Sequence, residues 1–208
     1  TATGERRAIQ LPDGTRLVLN TASAIDIAFT DTQRRIRLAA GEILVTTHAD
    51  PAATPRPFLV DTVCGVVRAL GTRFSVRQME DGGLCRVAVF EHAVEVRPLA
   101  GAVRILRAGE RADFGVADVL PPVAAGKAAL LWEQGMLLAK NMPLGDVIAE
   151  LSRYRPGVLH CEPAVAGMPV SGAISLMDTD AALDLLAGSL PLRIERRTRY
   201  WVTVGPRG

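Results

Sequence analysis

The sequence predicts an all-β N-terminal domain, sandwich-like or rolled and built from about ten short strands, followed by a small α+β unit. Three observations predict it. Through residue 120, apolar and polar residues alternate in short runs that Gly and Asp-Gly turns punctuate. Helical periodicity is nearly absent before residue 125 and appears after it. Between the two regimes, four leucines at heptad spacing (Leu130, Leu137, Leu144 and Leu151) suggest a zipper that the intervening residues forbid. Gly135 costs a helix about 1 kcal/mol and Pro143 about 3 kcal/mol relative to Ala, and a coiled coil needs an unbroken helix. The leucines must therefore be divided between a strand near Met136–Ala139 and a helix starting around Pro143.

The first strands flank Pro12-Asp13-Gly14: Ile9 and Leu11 alternate with polar neighbours before it, Leu17 and Leu19 after it. Asp-Gly between alternating runs is a strong hairpin signal, because Gly takes positive φ without strain. Ile25–Phe29 and Arg35–Leu38 repeat the pattern around Thr30–Gln33. A strand opens at Gly41-Glu42 and runs through Thr46, and a polar, proline-bearing loop follows from His48 to Pro57. Phe58–Asp61, Val66–Ala69 and Arg73–Arg77 come next, the last pair broken by Gly71. Beyond the turn Asp81-Gly82-Gly83, Leu84–Phe90 and Ala93–Arg97 read as a hairpin with Val87, Val89, Val94 and Val96 inward. Arg104–Leu106, Gly109 and Arg111–Phe114 close the domain. Gly14-Thr15-Arg16, Gly71-Thr72-Arg73 and Gly109-Glu110-Arg111 repeat one turn device at unequal spacing, which excludes a solenoid of fixed period.

Leu120 to Gly126 is the expected linker, stiffened by Pro121-Pro122. The domains are thus 1–120, a linker 121–127, and 128–208. In the second unit, Asn141 is the expected cap of a helix with Leu144, Val147, Ile148 and Leu151 on one face. Pro156-Gly157 stops that helix. Val158–Cys161 and Val170–Leu176 read as strands. Asp178 or Thr179 caps a second helix with Leu183, Leu186 and Leu190 on one face, and Leu192–Glu195 with Tyr200–Val204 forms a last hairpin. The order is βαβ then βαββ, two similar halves.

Composition narrows the function. Hydrophobic residues make up 49% and charged residues 22%, ordinary for a globular core. The net charge of +2 gives no electrostatic footprint for nucleic acid. No apolar run approaches the length of a membrane span. The chain opens on Thr1-Ala2-Thr3 without Met or a signal-like run, and reads as a piece of something longer. Cys64, Cys85 and Cys161 lack metal-finger spacing. They read as small buried hydrophobes, with a Cys64–Cys85 bridge as the alternative. His48, His92 and His160 lie far apart, and His160-Cys161-Glu162 on a strand would point to opposite faces. Neither a metal, a cofactor nor a catalytic constellation is expected, so the chain is read as no enzyme. What remains is surface. Tyr200 and Trp201 stand out in a chain only 4% aromatic: Trp201 either packs over the helices or anchors an interface, and Trp132 either docks the linker onto the second unit or is exposed to a partner.

Taken together, these strings resemble the periplasmic region of FecR-family anti-sigma regulators. The resemblance rests on Leu11-Pro12-Asp13-Gly14-Thr15 with Leu19-Asn20-x-x-Ser23, Arg35-x-Arg37-Leu38-x-x-Gly41-Glu42, Arg56-Pro57-Phe58-x-Val60, Ala69-Leu70-Gly71-Thr72-Arg73-Phe74-x-Val76-Arg77 and Ala108-Gly109-Glu110. The second unit resembles the STN-type signalling fold through Asn141-Met142-Pro143-Leu144-x-x-Val147-x-x-Glu150-Leu151-x-Arg153-Tyr154 and Asp180-Ala181-Ala182-Leu183-x-x-Leu186. Two departures stand out. Ile43-Leu44-Val45 follows Gly41-Glu42 where the family carries an aromatic, and Glu91-His92 replaces Glu-Gly in a turn.

The resemblance implies the periplasmic portion of a single-span inner-membrane protein of a Gram-negative bacterium. It implies docking of the periplasmic signalling domain of a TonB-dependent outer-membrane receptor, often one for iron uptake. It also implies control of an extracytoplasmic-function sigma factor through a cytoplasmic segment absent from this chain, with site proteases releasing that factor. No nucleic-acid partner is implied. The residues expected to bind the partner are Leu137, Leu144, Leu151, Tyr200 and Trp201. The alternative reading is a periplasmic carbohydrate or cell-wall binding module, against which stands the absence of Trp and Tyr from residues 1–120.

Overall fold

The computed structural model describes residues 1–79 and 83–207. Asp81 and Gly82 of the expected turn lie outside the described residues. The chain divides into two compact units, one of Thr1–Ala2 with Arg6–Lys127, the other of Thr3–Glu5 with the chain from Ala128 onward.

Among its described residues the first unit is all β, with thirteen strands where about ten were expected. They are β1 (Arg7–Gln10), β2 (Arg16–Leu19), β3 (Ala24–Phe29), β4 (Arg34–Ala40), β5 (Glu42–Thr46), β6 (Phe58–Asp61), β7 (Gly65–Ala69), β8 (Arg73–Gln78), β9 (Cys85–Glu91), β10 (Ala93–Pro98), β11 (Arg104–Arg107), β12 (Glu110–Phe114) and β13 (Val123–Ala124). A seven-stranded sheet runs β1-β2-β5-β8-β9-β12-β13 and a six-stranded sheet runs β11-β10-β7-β6-β4-β3. The two sheets share one core. Leu17, Ile43, Val45, Phe74, Val76, Val87 and Val89 come from the first sheet, and Ile36, Leu38, Phe58, Val60, Val67, Val94, Val96 and Leu106 from the second. Cys64 and Cys85 lie buried in the same core, and none of Cys64, Cys85 and Cys161 is in a disulfide.

The hairpins at Asp13-Gly14 and at Thr30–Gln33 are present as β1–β2 and β3–β4. The one expected around Glu91-His92 is not: β9 and β10 belong to different sheets, although their valines all point inward. His92 is a corner at which the chain changes sheet, and it does so at φ 55, in the left-handed region that Gly adopts at least cost. The same device recurs. Changes of sheet occur at Ala22 (φ 50), Gly41 (φ 81), Gly71 (φ 74) and Gly109 (φ 84), each a single left-handed residue. Two of the three repeated Gly-x-Arg signatures are therefore sheet-to-sheet corners. The third, at Gly14 (φ 85), turns a hairpin within one sheet. The expected linker is not free chain, because Val123–Ala124 pairs with Glu110–Arg111 as an edge strand.

The second unit opens with a 3-10 helix (Lys127–Gln134), which carries Leu130 and buries Trp132. Then follow β14 (Met136–Pro143), α1 (Leu144–Ser152), β15 (Val158–Cys161), α2 (Pro163–Ala166), β16 (Pro169–Ser175), α3 (Thr179–Ser189), β17 (Leu192–Thr198) and β18 (Trp201–Pro206). The heptad leucines are divided as the glycine and proline require: Leu130 in the 3-10 helix, Leu137 in β14, Leu144 and Leu151 in α1. Asn141 does not cap α1. It takes φ 53 at a bulge in β14, and Pro143 occupies the cap position without a side-chain bond. Asp178 does cap α3, accepting a hydrogen bond from the Ala181 N–H at 2.9 Å. β14 pairs with β16 in one sheet, and β15-β18-β17 form another. α1 packs on β14, β15 and β16, and α3 on β16 and β17, so helices contact both sheets.

Candidate functional site

The three-stranded sheet of the second unit has one face on the helices and one face open. α1 contacts β15, α2 contacts β18 and α3 contacts β17. Along β18, Val202 and Val204 are buried at 1% and 0% exposure, so they face the helices. Trp201 and Thr203 alternate with them and face away. Parallel pairing sets Val158 of β15 beside Trp201 and His160 beside Thr203, while Glu195 of β17 flanks Thr203 on the other side. Val158 is 46% exposed, Trp201 48% and the adjoining Tyr200 47%. An aromatic, apolar centre thus sits on an uncovered sheet face, rimmed by charge. Arg199 stacks its guanidinium 4.5 Å from the Tyr200 ring centroid, a contact that stiffens the turn while leaving the ring edge available.

This face is built on a rigid support. The turn into β15 is Gly157 at φ 94, where a Cβ would collide with the Tyr200 carbonyl oxygen. That oxygen accepts the Val158 N–H at 2.7 Å and so locks the Val158–Trp201 register. Arg155, with its side chain 8% exposed, donates to Asp180 at 2.9 Å and to the Arg199 carbonyl at 3.2 Å, joining the end of α1, the start of α3 and the β17–β18 turn.

The structure does not gather the five expected partner-binding residues into one surface. Leu144 and Leu151 are fully buried, on the face of α1 that also holds Val147 and Ile148. The helical periodicity that identified that face is the signature of a core stripe, so no partner can reach those leucines while the unit is folded. Leu137 is half-buried on β14, in the two-stranded sheet. Of the five, Trp201 lies on the open face and Tyr200 is exposed in the turn beside it. Of the alternatives for the tryptophans, Trp132 is buried and Trp201 exposed. Val158, the register partner of Trp201, was missed, because a strand residue read singly does not reveal which face the helices will cover.

The first unit carries a second constellation that the sequence concealed. Asp13, expected as a turn former, accepts the Thr15 N–H at 3.0 Å and the Arg34 guanidinium at 2.7 Å, with its side chain 1% exposed. Arg34 also donates to the Arg56 carbonyl at 2.9 and 3.1 Å and to the His48 carbonyl at 3.2 Å. Asp50 accepts the Arg56 guanidinium at 2.9 and 3.0 Å and the Arg56 N–H at 2.6 Å. The Arg56 side chain holds the Asp50 carboxyl well below the usual carboxylate range, with backbone N–H donors and Arg34 assisting against burial. The network pins the His48–Pro57 loop. Among the described residues, no cluster of His, Cys, Asp or Glu could hold a metal ion, and no helix is long and apolar enough to cross a membrane.

Comparison with known proteins agrees with this architecture. Residues 1–95 match the family model described as FecR protein. Two crystal structures, each of a protein called a "putative anti-sigma factor" from Parabacteroides distasonis ATCC 8503, superpose with TM-scores of 0.81 and 0.78 at 24% sequence identity. Each match covers 99% of this chain, and 97% and 96% of theirs. At that identity the likeness speaks for the fold. No curated protein sequence matches. Residues 1–95 are thus similar to the FecR family, and the whole chain shares its fold with those structures.

Proposed function

We propose that this chain is the periplasmic signalling region of a membrane-anchored anti-sigma regulator, and that its second unit receives the periplasmic signalling domain of a TonB-dependent outer-membrane receptor. The signal passes to an extracytoplasmic-function sigma factor through a cytoplasmic segment outside this chain, with proteolysis as the release step. The observation that carries the docking reading is the exposed Trp201–Val158 pair on the helix-free face of the β15-β18-β17 sheet, with exposed Tyr200 in the adjoining turn. Trp and Tyr are the residue types that anchor interfaces, because they bury large area at little rotamer cost. β15 is an edge of that sheet, so a partner strand can extend it while packing on Trp201.

Calorimetric titration with a purified receptor signalling domain tests the reading. Trp201→Asp and Val158→Asp each weaken binding by about 30-fold or more, the loss of a central anchor. Unchanged binding by both variants, with native circular dichroism, would place the docking site elsewhere. Among the described residues, the first unit offers no aromatic platform: its five phenylalanines are buried or half-buried. The open face thus favours a protein partner over a glycan.

A further inference from the structure

The outward face of the six-stranded sheet has a chemistry that the docking reading does not use. Strand register aligns its side chains in rows. Arg37, Asp61, Val66 and Arg97 follow one another across β4, β6, β7 and β10, and Arg35, Leu59, Arg68 and Glu95 do so in the next row. Between the rows lies a groove of about 300 Å³, with Leu59, Val66 and Pro57 as its floor and Arg35, Arg68 and Arg97 on its walls. Two of those arginines are engaged: Arg35 with Asp61, and Arg97 with Glu95 at 2.8 Å. Arg68 and the neighbouring Arg37 have no carboxylate partner among the described residues, and both are exposed.

We propose that this groove docks an extended acidic segment of a partner protein, one in which carboxylates are interspersed with apolar side chains. Three features select that occupant. Arg68, the lining arginine without an ion-pair partner among the described residues, calls for negative charge. The apolar floor calls for aliphatic side chains between the charges, and side chains two apart on a strand sit about 7 Å from each other, the spacing that alternate side chains of an extended segment present. Asp61 and Glu95, set among the arginines, repel a continuous polyphosphate, and no aromatic ring lines the groove to stack a base. A small free anion is a poor fit: the groove is an open trough on a sheet face, and a lone carboxylate against an exposed guanidinium is largely screened by salt.

Fluorescence anisotropy on the full chain tests this, with a labelled synthetic peptide alternating Glu with Val and Thr as the probe. The peptide binds at low salt, and binding weakens as salt rises. Arg68→Gln weakens it about fivefold or more, the loss of one charge-assisted contact. Leu59→Ser weakens it as well, and Trp201→Asp leaves it unchanged. Arg68 is exposed, so its variant folds even if the Leu59 variant does not. No binding, equal binding by Arg68→Gln, full competition by glutarate at equal carboxylate concentration, or tighter binding of a single-stranded oligonucleotide would each overturn the proposal.

Discussion

Replacing Arg34 by Met is the sharpest test of how the first unit is held together. The Arg34 side chain is 9% exposed and its guanidinium donates to the Asp13 carboxylate at 2.7 Å and to the carbonyls of Arg56 and His48. Methionine keeps most of the volume but none of the donors. It leaves Asp13, 1% exposed, with only Thr15 as a partner, and leaves the Arg56 carbonyl without its two guanidinium donors. Breaking one side of a buried pair costs about 3–5 kcal/mol, because an uncompensated charge remains. At roughly 3 °C per kcal/mol for a chain of this size, the melting temperature falls by about 10 °C. Thermal and urea unfolding, followed by far-ultraviolet circular dichroism, read the change. Arg34→Lys falls between, since a single ammonium cannot span Asp13 and the Arg56 carbonyl. In the double variant with Asp13→Asn the two losses are far from additive, because the second removes the charge that the first stranded. A shift below about 2 °C for Arg34→Met would refute the reasoning.

Asp50 and Asp113 have depressed pKa values, from the side-chain bonds of Arg56 and Arg86 respectively. Their unfolded forms protonate near pH 4 while the folded forms remain ionised, so their stabilisation is complete above about pH 5 and is lost as pH falls toward about 2. Urea midpoints measured across that range drop with acid, and Asp50→Asn flattens the slope; an unchanged slope would contradict the pairing. Leu151→Ala costs about 3 kcal/mol in urea unfolding, the cavity penalty of a fully buried leucine, whereas half-buried Leu137→Ala costs clearly less. Gly157→Ala destabilises by about 2 kcal/mol, from a strained φ and the collision with the Tyr200 carbonyl, and it weakens receptor-domain binding by disturbing the Val158–Trp201 pair. Binding equal to that of the native chain would separate the turn from the face.

Much of this fold was legible because it is local. Alternation located the strands and their inward residues, and Gly135 with Pro143 cut the leucine ladder where β14 and α1 now meet. Sheet membership was not legible. Phe90 to Ala93 looks like a tight hairpin, but whether two successive strands pair or part is decided by long-range packing, and His92 accepts a left-handed φ that local preference disfavours. The parallel pairing of β4 with β6 is equally non-local. The 3-10 helix and α2 are too short to show a period. Asp13 read as a turn residue because its partner Arg34 is remote in sequence, and the loop that covers both had no pattern of its own. At the candidate site, aromatic scarcity singled out Trp201 but left open whether it packs over the helices or stands exposed, as it does. The buried leucines were misread as surface because heptad spacing and core spacing coincide on a single helix face.

The central claim is that the helix-free face around Trp201 is where the receptor's signal arrives. Site-specific photo-crosslinking measures this directly, with a benzophenone amino acid placed at position 201 or at the exposed helix position Leu185 and the receptor signalling domain added. Docking on that face gives a heterodimeric crosslink from position 201 and little from 185. A crosslink from 185 with none from 201 would contradict it.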